Sequence, residues 1–237
     1  AKQSWCDAVA SLPEEAVKGA DLVVIGTPVE TIPSIVEKIA SSFEQGVIVT
    51  DVGSVKSLIC RSCGASMPSG THFVGSHPMA GSEKKGMEFA HSELLDGQAC
   101  FVTPLADSDP VAAKRIVRLW QQLGMRVSVI SPEEHDKIVA NISHLPHLLA
   151  SCLCSYLATR DPNWSNLAGK GLRDTTRVAA GDPGLWKGII DQNREEILHS
   201  LTGYREELNR FEAALNNRES LEFFGILERG KDYRDCL

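Results

Sequence analysis

Several features that narrow function are missing from these 237 residues, and each absence excludes a class. No block of like charge occurs, and 24 Lys+Arg against 31 Asp+Glu leaves a net charge of −7. A nucleic-acid binder carries a basic excess or stripe, so no nucleic-acid partner is expected. Seven cysteines cannot all pair within one chain, which excludes a complete disulfide framework and favours a reduced, cytoplasmic protein. Cys60-x-x-Cys63 has no second such pair, and Cys152-x-Cys154 has the wrong spacing, so no zinc site is expected. The opening AKQSWCDAVA lacks the charged-then-apolar pattern of a signal peptide. The longest fairly apolar stretch, 145–158, carries Pro146, His147 and two serines. It reads as too short and too interrupted to span a bilayer, so no membrane partner is expected. G-x-G-x-x-G is also missing: Gly75 and Gly81 are too far apart, and Gly169-Lys-Gly171 lies in a segment read as helical.

What is present is an ordinary globular composition, with 43% hydrophobic and 23% charged residues. The length suits one large domain or two small ones, with enough core to need no metal or disulfide staple. Asp21–Gly26 is a short apolar run that predicts a buried strand. Ile32, Ile35, Val36, Ile39 and Phe43 follow at helical spacing. Further strands are predicted at 47–50, 72–75, 99–103 and 126–130, with helices from Ser54 to about Cys63 and over 111–123. Strands separated by helices indicate a parallel α/β sheet.

The pattern changes at Ser131. Ser131-Pro132-Glu133-Glu134 is a helix start, and no convincing strand follows. Gly181-Asp182-Pro183 reads as a left-handed glycine ending one helix and an Asp cap starting the next. From Ile197 the apolar residues Leu201, Tyr204, Leu208, Phe211 and Leu215 follow a heptad seam. A helix counted from Pro183 would be about 50 Å long at 1.5 Å per residue. That predicts a partner helix, either from a second copy of the chain or from the segment holding Leu221, Phe223, Phe224 and Leu227. An α/β domain over 1–131 and a helical domain over 132–237 are therefore expected.

Four polar clusters fall at expected strand ends or at the domain junction, where α/β folds hold ligands. TDVGSVK (50–56) runs from a strand through glycine into an expected helix N-terminus, which offers free N–H groups to a ligand. VGSHPMAGSEK (74–84) adds a His, the side chain that can be a neutral base near pH 7. NISHLPH (141–147) holds two imidazoles three residues apart on a probable helix, with Pro146 suggesting a kink. It lacks the order of a zinc protease motif. GLRDTTR (171–177) supplies arginines, whose planar fork suits carboxylates.

Together these segments resemble the prephenate/arogenate dehydrogenase family of tyrosine biosynthesis. The resemblance rests on ADLVVIGTPVE (20–30), VIVTDVGSVKSLI (47–59), FVGSHPMAGSEKKGMEFA (73–90), PEEHDKIVANISHLPHLLA (132–150) and RDTTRVAAGDPGLW (173–186). It implies a Rossmann-like nucleotide-binding domain followed by an all-helical dimerisation domain. It also implies oxidation of prephenate or arogenate with NAD or NADP, release of carbon dioxide, and a homodimer formed through the helical domain. His77 matches the catalytic base and Ser54 the residue that aligns it with the substrate hydroxyl. A base must be neutral, so activity is expected to fall below a pKa near 6–7. Arg177, His144, Glu83 and Trp186 match substrate-pocket residues. Arg173 and Asp174 match charged residues near the pocket entrance and the dimer interface. Thr27, Pro28, Val29, Asp51, Gly53 and Ser54 match the cofactor side.

In that family the glycine fingerprint lies on a first strand upstream of ADLVVIGTPV. Its absence implies a chain lacking its first strand and glycine-rich turn, and a truncated or cofactor-deficient homologue is the alternative reading. Another Rossmann-type hydroxyacid dehydrogenase is less fitting, because no Lys matches the one such enzymes use on the helical domain.

Overall fold

The computed structural model describes residues 6–81, 86 and 89–237. After a short helix α1 (Pro13–Ala16), strand β1 (Leu22–Ile25), helix α2 (Ile32–Ile39), strand β2 (Ile48–Asp51), helix α3 (Ser57–Ser66) and strand β3 (His72–Phe73) form an α/β unit. The three strands are parallel in the order β1-β2-β3, with Leu22 opposite Ile48 and Val49 opposite Phe73. β2 is buried along its whole length, as expected of a strand covered on both faces. Ile32, Val36 and Ile39 present one face of α2, pack against Val23, Ile25 and Val49, and are almost fully buried.

Val74 carries the chain from this sheet into a second one. Strand β4 (Gly75–Pro78), strand β5 (Ala99–Thr103) and strand β6 (Arg126–Val129) pair in that order, with helix α4 (Pro110–Gln122) between the last two. Asp109 caps α4 by accepting from the Ala112 N–H, 2.7 Å. β5 and β6 are parallel, but β4 and β5 are antiparallel. The expectation of a parallel sheet therefore holds for β1–β3 and for β5–β6 and fails at β4. β5 runs back along β4, with Gly75 opposite Thr103 and Pro78 opposite Cys100. The Gly75–Pro78 segment, expected to be mostly a loop after a strand, is itself a strand.

Beyond β6 the elements are helical. Ser131 caps helix α5 (Pro132–Val139) through the Glu134 N–H at 3.1 Å, as its sequence predicts. A π-helical turn (Ala140–His144) joins α5 to helix α6 (Leu145–Ala158). The continuous run Pro132–Ala158 is 27 residues, long and apolar enough to cross a bilayer by length and composition. That differs from the reading of 145–158 alone, because α5 extends the segment. Helix α7 (Lys170–Thr176), helix α8 (Pro183–Gln192), helix α9 (Arg194–Asn216) and helix α10 (Ser220–Asp235) complete the chain.

Three local expectations change. α3 begins at Ser57, not Ser54, leaving Ser54 in the turn before it. The long helix expected from Pro183 is broken at Asn193, with φ −113° and ψ 29°. Gly181 has φ −60° and is not left-handed; its missing side chain matters because a Cβ there would meet Trp186 Nε1 at 2.6 Å. The Asp182 cap is present, accepting from the Leu185 N–H at 2.8 Å.

α10 folds back on α9, with the Phe211 and Phe223 rings 6.3 Å apart and Arg229 paired to Glu207 at 3.0 Å. Only the first part of the heptad seam is buried, at Ile197; Leu201, Leu208, Leu215, Leu221, Phe224 and Leu227 stay exposed.

The β3–β4 crossing depends on Gly75. A Cβ there would lie 2.5 Å from Cys60 Sγ and 2.7 Å from Thr103 Oγ1. Gly75→Ala should therefore destabilise the fold by about 1–3 kcal/mol, read as a lower urea midpoint with an unchanged m-value.

Candidate active site

The end of β2, strand β4, the π-helical turn and the start of α8 surround one cavity of about 430 Å³, the size of a small-molecule site. Ser54, His77, His144, His147, Arg177 and Trp186 all line it. Residues more than a hundred positions apart in the chain thus share one wall-to-wall space.

Strand geometry sends alternate side chains of β4 to opposite faces. Ser76 Oγ bonds Thr50 Oγ1 of β2, in the first sheet, at 2.5 Å, while the adjacent His77 turns toward α5. His77 is buried, and its Nδ1 lies 2.9 Å from His135 Nε2. His135 is fully buried, and its Nδ1 meets Asp136 Oδ1 at 2.8 Å. Burial first, then the neighbouring His135, Lys56 and His144, hold His77 well below the usual imidazole pKa. The imidazole therefore stays neutral to a lower pH than an ordinary histidine.

Beneath the cavity lies a fully buried ion pair, Lys56 Nζ with Asp51 Oδ2. Asp51 also accepts from Gly53 N–H at 2.8 Å and Ser76 N–H at 3.2 Å. One carboxylate therefore grips the residue before Ser54 and the residue before His77. Its side chain faces inward and is fully buried, so these bonds give Asp51 a structural role beside the cofactor contact expected of it. Val29 likewise turns into the core, at 2% exposure. Thr27 and Pro28 are exposed after β1, outside the cavity lining.

The expected anion site at a helix N-terminus is also changed. The Lys56 and Ser57 N–H groups donate to Asp136 Oδ1 and Oδ2, at 2.7 and 2.8 Å. The carboxylate fills the position a ligand anion would take. Gly53 is buried and Ser54 half-buried, and of the two only Ser54 lines the cavity.

His144 is placed by the π-helical turn. Pro146 has no N–H to bond the Ile142 carbonyl, which favours a widened turn at this point. Asn193 Nδ2 donates to the Asp136 carbonyl at 2.9 Å and contacts His144 Nδ1 at 3.1 Å. The first bond fixes the amide orientation, so the second hydrogen points at His144 Nδ1. His144 Nδ1 is then an acceptor, and Nε2 carries the proton. That Nε2 is buried and makes no hydrogen bond of full geometry, its nearest acceptor being the Ser54 backbone. Burial, only partly offset by Asp136 and by a hydrogen bond to the Ser54 backbone, pushes the His144 pKa to about 4.

His147 stacks on Trp186, with centroids 3.5 Å apart and planes within 8°. Gly181 makes room for the stack, since a Cβ would also approach His147 at 3.2 Å. Arg173 and Asp174 are exposed on α7 and do not line the cavity. Glu83 lies outside the described residues.

His135, Asp136 and Asn193 are not among the site residues expected from the sequence, and His147 enters there only as the second imidazole of NISHLPH. A signal existed for the first two. Pro132, His135, Asp136 and Val139 are the buried stripe of α5, so two polar residues occupy its inward face at i, i+3, i+4 and i+7 spacing.

Family models described as prephenate dehydrogenase, nucleotide-binding domain, and prephenate dehydrogenase, dimerization domain, match residues 3–129 and 131–229. A prephenate dehydrogenase of Bacillus subtilis is 33% identical over 225 residues, covering 93% of this chain and 61% of that protein. A cyclohexadienyl dehydrogenase of Zymomonas mobilis is 32% identical over 211 residues, covering 87% of this chain and 71% of that one. This chain thus spans less than two thirds of the Bacillus protein. Among solved structures, a prephenate dehydrogenase of Aquifex aeolicus in complex with hydroxyphenyl propionate and NAD+ superimposes with a TM-score of 0.88 at 30% identity, covering 95% of this chain and 79% of that one. A Synechocystis arogenate dehydrogenase gives 0.81 at 29% identity, covering 94% and 81%.

The depressed imidazoles set a pH dependence. His144 titrates near 6.5 when unfolded and near 4 when folded. Between those values the unfolded chain holds more protons, so stability is complete above the unfolded pKa and lost as pH falls toward 4. Full loss of this contribution is worth about 3 kcal/mol, and His77 and His135 act in the same direction. The urea midpoint should drop between about pH 7 and about pH 4.5, and His144→Gln should flatten that slope.

Proposed function

The chain belongs to the prephenate dehydrogenase family, and from that premise we propose that it oxidatively decarboxylates prephenate or arogenate with NAD or NADP. The products are 4-hydroxyphenylpyruvate or tyrosine, carbon dioxide and the reduced dinucleotide. The observation that carries this reading is the convergence, in one cavity, of a buried neutral imidazole at His77 with the His144 imidazole and the guanidinium of Arg177.

The substrate ring bears a hydroxyl and a carboxylate on opposite carbons. As hydride leaves the hydroxyl-bearing carbon, the oxygen loses its proton and becomes a carbonyl. His77 accepts that proton, and Ser54, on the same cavity wall, aligns the hydroxyl with it. The bond to the ring carboxylate then breaks, and its electron pair enters the ring. The ring becomes aromatic, carbon dioxide leaves, and the phenolic oxygen recovers a proton. Arg177 and His144 bind the carboxylates, and the His147–Trp186 stack forms a flat apolar wall for the ring. Glu83 is assigned to the same pocket by resemblance.

The residues present fit the nicotinamide end of a dinucleotide. β1 and β2 are parallel and finish on the same side of the sheet, with Thr27 and Pro28 exposed after β1 and the Gly53–Ser54 turn after β2. When bound, the nicotinamide supplies the hydride acceptor. No G-x-G-x-x-G turn for the pyrophosphate occurs in the sequence, so dinucleotide titration is the direct test of this half of the reading.

The exposed apolar residues of α9 and α10 support a homodimer through the helical part, with Arg173 and Asp174 at its edge near the pocket entrance. Light scattering should give twice the chain mass, and Leu208→Glu with Phe224→Glu should give a monomer. Seven free thiols support a cytoplasmic location.

Turnover is measured as reduced-dinucleotide absorbance together with carbon dioxide release, offering prephenate and arogenate separately. His77→Asn should lower kcat at least about 100-fold while leaving dinucleotide affinity within threefold. Equal turnover in the variant would remove His77 from the chemistry.

A further inference from the structure

The assignment of His77 as proton acceptor leaves open which ring nitrogen carries its hydrogen, and the buried groups behind it decide that. Asp136 Oδ1 accepts from Lys56 N–H and meets His135 Nδ1, while Oδ2 accepts from Ser57 N–H. Burial alone would raise the Asp136 pKa, but the bonds from His135 and Ser57 outweigh it and hold the group below the usual carboxylate value. An ionised carboxylate only accepts, so His135 Nδ1 must carry a hydrogen. His135 is depressed by burial, partly opposed by Asp136, and as a neutral ring it keeps a lone pair on Nε2. That lone pair lies 2.9 Å from His77 Nδ1, which must then be the donor. The reverse arrangement would set the His135 Nδ1 lone pair against the carboxylate at 2.8 Å.

We propose that Asp136 is a positioning residue that, through His135, holds His77 in its Nδ1–H form, so that the Nε2 lone pair is the atom presented to the substrate hydroxyl. This rests on the reading of His77 as base. The same carboxylate pins the backbone just after Ser54, so one group sets both the proton-accepting atom and the residue that aligns the hydroxyl. Among the described residues, the charged and titratable groups around the relay are Lys56 and Asp51, His144 on the π-helical turn, Cys100 on β5 and Arg177 in the cavity lining. None of these is hydrogen-bonded to His135, so the order of hydrogens along the relay is set from the Asp136 end.

The test is 15N NMR of the histidine-labelled full chain without substrate or dinucleotide, which reads the protonated nitrogen of each ring. The wild type should show His77 with hydrogen on Nδ1 and none on Nε2; hydrogen on Nε2 overturns the proposal. Asp136→Asn should shift His77 toward the Nε2–H form and lower kcat by about 10³–10⁴-fold, the scale of a base held in the wrong tautomer. An unchanged tautomer with unchanged kcat in this variant overturns the role of Asp136.

A second pair guards against a variant that merely misfolds. His135→Gln keeps an oxygen to accept from His77 Nδ1–H and should retain kcat within about tenfold of wild type. His135→Leu removes the acceptor and should lose about 100-fold or more, with substrate KM nearly unchanged. Equal losses in the two, or losses confined to KM, would mark the relay as structural support only and overturn the proposal. If the tautomer is as assigned but His77→Asn turns over normally, the functional reading fails and the tautomer assignment stands.

Discussion

Asp136 sits in the helical part of the chain, yet its carboxylate completes a helix of the α/β part. Its oxygens take the Lys56 and Ser57 N–H groups that open α3, and its backbone carbonyl takes the Asn193 amide. His135 beside it reaches His77 on β4. Four segments therefore meet around one buried charge. A carboxylate at a helix N-terminus is favoured by the free N–H groups and the helix dipole, which offsets part of the cost of burying it. Without that group the first turn of α3 would lose two hydrogen bonds, and His135 would lose what orients it.

The Lys56–Asp51 pair does related work one layer deeper. Burying such a pair is weak evidence for stability, since desolvation can match the attraction. Its value here is geometric. Asp51 holds Gly53 and Ser76 through their N–H groups, which spaces the Ser54 turn from the His77 strand. The positive charge of Lys56 also disfavours protonation of His77. Geometry and acid–base poise thus depend on the same two side chains.

Four imidazoles crowd this junction, and all are depressed, with burial as the first cause. The consequence is a set of neutral rings whose hydrogens are assigned by their partners rather than by pH. Asn193 leaves His144 a donor at Nε2, and Asp136 leaves His77 an acceptor. Both rings then face one cavity.

The strands of the first half were legible because apolar runs with helical stripes between them leave few alternatives. The caps at Ser131 and Asp182 were legible because they depend on adjacent residues alone. His77, Ser54, His144, Arg177 and Trp186 could be chosen from motifs, and all five line one cavity. The strand nature of Gly75–Pro78, the late start of α3 and the break at Asn193 could not be read. Each depends on a partner far along the chain: Thr103 opposite Gly75, Asp136 at Lys56, and His144 beside Asn193. Sequence alone therefore determined the periodic elements, the short-range caps and the chemical types gathered for the site. Tertiary structure decided which buried charge holds which imidazole and in which tautomer, because those hydrogen bonds join residues about 50 to 80 positions apart whose pairing no local pattern encodes.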